Sequence, residues 1–202
     1  MRNVLMSAWL GRDLDRHPGP EGDDQTGRAL VRRYLAAFGP AAVADVRAWS
    51  GLAGLPAAVT AMRDELVTFR DERGRVLLDL PDAPRPDPGV PAPVRFLPAF
   101  DNAILGYHDR GRIIPDEHRG LSVTGARMVL VDGRVAATWH VDGGAVVVTP
   151  LRELSRGERA GVAEEGEALA ALLARNQIKD QEADDRAEGG RGRGVRFAAP
   201  AP

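Results

Sequence analysis

Pro81 to Pro93 (PDAPRPDPGVPAP) carries six prolines, at positions 81, 84, 86, 88, 91 and 93. No helix interior or central strand can run through such a stretch, because each proline locks φ and removes a backbone donor. The segment should lie extended, in polyproline form, as a connector of near-fixed length. The 202-residue chain is therefore expected to fold as two small units joined by this connector.

Before the connector, residues 1–25 read as a short lead-in and a linker, since His17 to Asp24 (HPGPEGDD) mixes proline, glycine and acid in a way that defeats regular structure. From Thr26 to Leu80 the order tightens into three helices and a hairpin. Leu30, Tyr34, Leu35 and Phe38 recur at helical spacing, with Gly39 as a left-handed cap, which predicts a helix over Gly27–Phe38. Val43, Val46 and Trp49 predict a second helix from about Ala41 to Ser50, ended by Gly51. Pro56 opens a third, with Val59, Met62, Leu66 and Phe69 as its inner face. Val67–Arg70, the turn Asp71-Glu72-Arg73-Gly74 and Arg75–Leu80 then predict two strands. Three helices followed by a hairpin is the order of a winged helix-turn-helix, with the hairpin as the wing.

After the connector, residues 94–176 read as a small β-rich unit with a closing helix. Val94–Leu97 predicts a strand, Phe100-Asp101-Asn102 a short helical turn, and His108 to Arg112 a charged loop. Arg127–Val131, Arg134–Val141 and Ala145–Leu151, separated by Asp132-Gly133 and Asp142-Gly143-Gly144, predict an antiparallel meander. Ser155 and Glu158 form a capping box for a helix whose apolar face is Val162, Leu169, Leu172 and Leu173. Residues 177–202 carry too little apolar content to pack and are expected to be disordered. The fold class expected is α+β: a winged helix-turn-helix followed by a small antiparallel β-barrel-like domain with a C-terminal helix.

Composition excludes several chemistries. There is no cysteine, hence no disulfide, no thiolate-bound zinc and no thiol nucleophile. No apolar run approaches the roughly 20 residues needed to span a bilayer, so a cytoplasmic protein with no membrane partner is expected. No G-x-S-x-G elbow, P-loop, G-x-G-x-x-G or His-Glu-x-x-His occurs. His108 and Asp109 with Asp116 and His118 are the densest set of possible metal ligands, but their spacing is that of no recognised site, and neither metal nor cofactor is expected.

A net charge of −2 is not that of a typical DNA-binding domain, so contact with phosphate must come from a local patch. The third helix offers Arg63 against Asp64 and Glu65, whereas Arg70, Arg73 and Arg75 bracket the turn of the wing. Arg28, Arg32 and Arg33 on the first helix can add backbone contacts, and Tyr107, His108, Asp109, Arg110 and Arg112 can line a DNA-facing or catalytic groove. The same residues also suit an ordinary solvated surface on a packing module. Gly189 to Gly194 (GGRGRG) offers a weak, nonspecific contact at most.

Three stretches together carry a resemblance: RRYLAAFGPAAVADVRAWSGL at 32–52, PAPVRFLPAFDNAILGYHDRGRII at 91–114 and MVLVDGRVAATW at 128–139. In this order they resemble the actinobacterial winged-helix DNA-binding-domain family related to the AlkZ/YcaQ-type DNA glycosylases, over about Trp9 to Leu173. The resemblance implies that the helices and hairpin are the last of several winged helices and that the meander belongs to a barrel portion. Glycosylase members carry a Gln-x-Gln or Gln-x-Asp motif that positions the attacking water. None of Gln25, Gln177 and Gln181 begins such a motif, so the chain resembles a C-terminal portion of the family.

The expectation is then a winged-helix DNA-binding protein, not an enzyme as it stands and without catalytic residues, holding duplex DNA weakly through Arg63, Arg70, Arg73, Arg75, Arg110 and Arg112. Two alternatives stand beside it: a portion of an AlkZ-like DNA glycosylase whose catalytic half is missing, and a protein-interaction module without DNA affinity.

Overall fold

The structure is a computed structural model that describes residues 25–183 and 195–197, together with Ala8 and Gly11. It divides into two compact units, one reaching to Arg85 and including Gly106–His108, the other made of Pro86–Leu105 and the chain from Asp109 onward.

The first unit contains helices α1 (Gln25–Phe38), α2 (Val43–Ser50) and α3 (Leu55–Ala61), a 3-10 turn over Arg63–Glu65, and strands β1 (Val67–Arg70) and β2 (Val76–Asp79). Gly39 and Gly51 end α1 and α2 at φ +70° and +67°, where their N–H groups reach back to the carbonyls of Leu35 and Arg47. β1 and β2 pair antiparallel, with Val67 opposite Asp79 and Arg70 opposite Val76. Val31, Tyr34, Leu35, Val46, Leu55, Val59, Met62, Leu66 and Leu78 form the core. Each aliphatic side chain buried there contributes about 1.5–3 kcal/mol.

The third helix is shorter than its periodicity predicts. It stops at Ala61, Arg63 to Glu65 tighten into the 3-10 turn, and Phe69 lies on β1, 37% exposed, instead of on the inner face of a helix. Met62 and Leu66 are buried all the same. A three- or four-residue spacing is satisfied equally by a helix and by a turn that feeds a strand, so the pattern could not mark the end.

The second unit contains β3 (Arg95–Leu97), helix α4 (Asn102–Leu105), a 3-10 segment over Asp116–Ser122, strands β4 (Arg127–Val131), β5 (Arg134–Asp142) and β6 (Ala145–Pro150), helix α5 (Arg156–Ala183) and β7 (Val195–Phe197). The sheet runs β3-β4-β5-β6-β7, antiparallel except that β7 lies parallel to β6. Asp132 and Gly133, both at positive φ, make the tight β4–β5 turn. Ser155 and Glu158 cap α5 reciprocally: the Ser155 N–H donates to Glu158 Oε2 at 2.8 Å and the Glu158 N–H to Ser155 Oγ at 3.2 Å. One face of the sheet packs Val129, Ala137, Trp139, Val146 and Val148 with Leu154, Val162 and Ala170. The Trp139 indole donates to the Leu97 carbonyl at 2.9 Å.

Two expectations are corrected here. Among the described residues the sheet is open, with β3 and β7 as edges, and forms no closed barrel. Both edge strands are three residues long, too short to pair across and close the sheet. The chain beyond Asn176 is not uniformly irregular either, since α5 continues to Ala183 and residues 195–197 add a strand. Composition alone missed this because Phe197 packs on the sheet cluster, a contact far from it in sequence.

Candidate nucleic-acid interface

The β1–β2 turn is organised by one carboxylate. Asp71 Oδ1 accepts the backbone N–H groups of Arg73 at 2.9 Å and Arg75 at 2.8 Å, and Oδ2 accepts Arg75 Nε at 2.6 Å. Burial pushes the Asp71 carboxyl up, but the hydrogen bonds from Arg75 and Arg73 and the Arg75 charge outweigh it and leave the group below its ordinary value. Gly74, at φ +75°, donates to the Asp71 carbonyl and completes the turn. Arg70 is exposed on β1 with Nη1 on the Gly74 carbonyl at 3.1 Å, and Arg73 is exposed at the tip. Arg70 and Arg73 thus project from a rigid turn, whereas Arg75 is half-buried in an ion pair that holds the turn together.

Arg63 is exposed on the 3-10 turn and makes no ion pair among the described residues. Two residues on, Glu65 takes Arg28 on one carboxylate oxygen and Arg32 on the other. The acid that makes this segment net negative therefore cancels cations from α1. Arg33 is exposed and has no ion pair among the described residues.

Arg85, in the proline run, escaped attention in the sequence. Its Nη1 binds the fully buried Asp79 at 2.9 Å, and its guanidinium lies 5.5 Å from the centre of the Phe69 ring. A lone cation among prolines beside a strand ending in aspartate was the available signal.

The charged loop His108 to Arg112 does not act as one groove. Tyr107 is buried and donates to the Phe38 carbonyl at 2.6 Å, and the His108 N–H donates to Asp45 Oδ1 at 2.9 Å, which places both in the first unit. Arg110 and Arg112 belong to the second unit, where Arg110 Nη1 donates to Ser122 Oγ at 2.6 Å and Arg112 is exposed. Among the described residues no three metal-ligating side chains gather, so His108, Asp109, Asp116 and His118 make no centre. No described helix is long and apolar enough to cross a membrane. Gly189 to Gly194 lies outside the described residues.

Residues 4–172 match the family described as DNA glycosylase AlkZ-like. An interstrand DNA cross-link repair glycosylase of Streptomyces sahachiroi is 28% identical over 169 residues, covering 76% of this chain and 43% of the relative. The solved structure of the Streptomyces sahachiroi DNA glycosylase AlkZ is similar with a TM-score of 0.69 and 26% identity, over 96% of this chain and 51% of that one. The chain thus spans about half the length of the relatives it matches. The expectation that it is not an enzyme is overturned, because both relatives are glycosylases and the match runs through most of this chain. The absence of a Gln-x-Gln or Gln-x-Asp motif had suggested otherwise. By the extent of that match, the chain belongs to the AlkZ-like DNA glycosylase family.

Proposed function

We propose that the chain is the DNA-holding portion of an AlkZ-like DNA glycosylase, with α1 to β2 as a winged helix-turn-helix and the β1–β2 hairpin as its wing. The observation that carries this reading is the family match across residues 4–172. The substrate class follows the relative's description, a cross-linked nucleobase in duplex DNA. The reaction is hydrolysis of the bond between base and sugar, and the part assigned to these residues is to hold the duplex by its phosphates while that bond is attacked. Arg70 and Arg73 on the wing and Arg63 beside it are the leading contacts, with Arg75 as the brace of the turn. Arg110 and Arg112 are the second unit's contribution. With one cation against two acids over Arg63–Glu65, binding is expected to depend little on sequence.

A salt titration of binding to a labelled duplex tests this. Affinity should fall steeply with salt, and R70A/R73A should flatten the log–log slope by about 0.9 for each phosphate that the two arginines neutralise. Binding that ignores salt, or no binding at low salt, refutes the reading.

A further inference from the structure

Among the described residues every aromatic side chain except one rests against another ring or under a guanidinium. Tyr34, Phe38, Trp49 and Tyr107 cluster in the first unit, and Phe96 meets Trp139 edge-on in the second. Arg85 lies over Phe69 and Arg159 over Phe197. Phe100 has no such partner and is 61% exposed. Its backbone φ is +60°, a region that a bulky L side chain rarely occupies. A conformation of this kind persists only where the surroundings enforce it, and here it is enforced without burying the ring.

The surroundings are the loop Ser122–Gly125. A Cβ on Gly125 would stand 2.9 Å from Phe100 Cζ, so the ring takes its place only because residue 125 has no side chain. Val123 on the same loop is 72% exposed. Ser122, which starts the loop, is buried and takes Arg110 Nη1 at 2.6 Å. One short loop therefore backs an exposed ring, an exposed aliphatic side chain and a guanidinium, which is the pairing of π-face and positive charge that unpaired bases and their flanking phosphates recognise.

We propose that Phe100, set against the loop Ser122–Gly125, is a base-stacking site for an unpaired nucleobase of DNA, an assignment that rests on the DNA-holding reading above. The ring offers a face of its own to a base that has left the helix stack, and Arg110, bonded to Ser122 at the start of the same loop, supplies positive charge. A protein partner would use the apolar ring and Val123 without distinguishing paired from unpaired DNA.

The test uses the full chain and two labelled duplexes, one fully paired and one carrying a single-base bulge, followed by fluorescence anisotropy. The wild type should bind the bulged duplex more tightly. F100A and F100L should weaken that binding about five- to a hundredfold while leaving the paired duplex within about twofold, and F100W should keep the preference. F100L is informative because it retains apolar bulk and removes only the π-face. Salt-dependent binding with equal affinity for both duplexes, or F100L behaving as wild type, overturns the stacking site alone. Failure to bind either duplex at low salt overturns the DNA reading beneath it.

Discussion

Asp45 offers the sharpest test of how the first unit is held together. Its carboxylate is 3% exposed, at the start of α2, with Oδ2 accepting the Ala42 N–H at 2.8 Å and Oδ1 accepting the His108 N–H at 2.9 Å. Asp45→Ala removes both acceptors at once. An unmet donor costs about 1–3 kcal/mol, and since both bonds are only part-buried the lower end applies, about 1–1.5 kcal/mol each. Loss of the negative charge at the N-terminus of α2 adds about 0.3–1 kcal/mol. The expected total is about 2–4 kcal/mol, a large share of the about 5–15 kcal/mol available to a domain. Asp45→Asn keeps one acceptor oxygen and turns an amide group toward the other donor, so it should lose less than the alanine variant. Urea denaturation with an unchanged m-value measures the loss, and amide hydrogen exchange at Ala42 and His108 should accelerate in the same order. An alanine variant within about 0.5 kcal/mol of wild type, or an asparagine variant worse than alanine, refutes this account.

Two further outcomes follow from charges named above. E65Q releases Arg28 and Arg32 from their shared carboxylate and should steepen the salt dependence of duplex binding by about 1–2 in slope, while shifting stability by less than about 1 kcal/mol because the pairs are solvent-exposed; an unchanged slope shows that α1 does not reach DNA. Glu158 is held down to about 2 from its ordinary 4.5, first by the hydrogen bond from Arg152 and then by those from Ser155, while burial opposes them weakly. Between these values the unfolded chain binds the extra proton, so the contribution is whole above about pH 4.5 and disappears as the pH falls toward 2. Acid titration of stability should show this window in the wild type and a shallower slope in E158Q, and identical slopes would contradict it.

What could be read from residues alone was what local chemistry decides. Gly39 and Gly51 as caps, Asp132-Gly133 as a tight turn and the Ser155–Glu158 box are settled within four residues of chain, and all four stand in the structure. The misses lie where distant partners decide. Tyr107 read as part of a polar loop although it is buried, because Phe38, whose carbonyl holds its hydroxyl, is 69 positions away, and the bond of the His108 N–H to Asp45 was hidden by a separation of 63. Glu65 looked like an obstacle to DNA because its partners Arg28 and Arg32 lie on another helix. Phe69 followed a helical period but serves a strand, beneath Arg85 from the proline run. Phe100 was noted only as the start of a short helix, and nothing local announced its positive φ or the glycine at 125 that makes room for the ring.

The pairing pattern also ranks the arginines of the first unit. A phosphate can replace an intrachain carboxylate only if the broken pair costs less than the new contact supplies. The pairs of Glu65 with Arg28 and Arg32 are exposed and worth about 0–1 kcal/mol each, so a phosphate can take either cation at small cost. Arg85 is different, because Asp79 is fully buried and would be left as an uncompensated charge, a loss of about 3–5 kcal/mol that no single phosphate contact repays. Arg75 stands between these cases: its release would take from Asp71 the Nε bond on Oδ2, leaving only the backbone N–H groups of Arg73 and Arg75 on Oδ1 to shape the turn that places Arg70 and Arg73. Arg70 can therefore meet phosphate with the turn intact, Arg28 and Arg32 can be recruited, and Arg75 and Arg85 hold the hairpin in the shape on which the others depend.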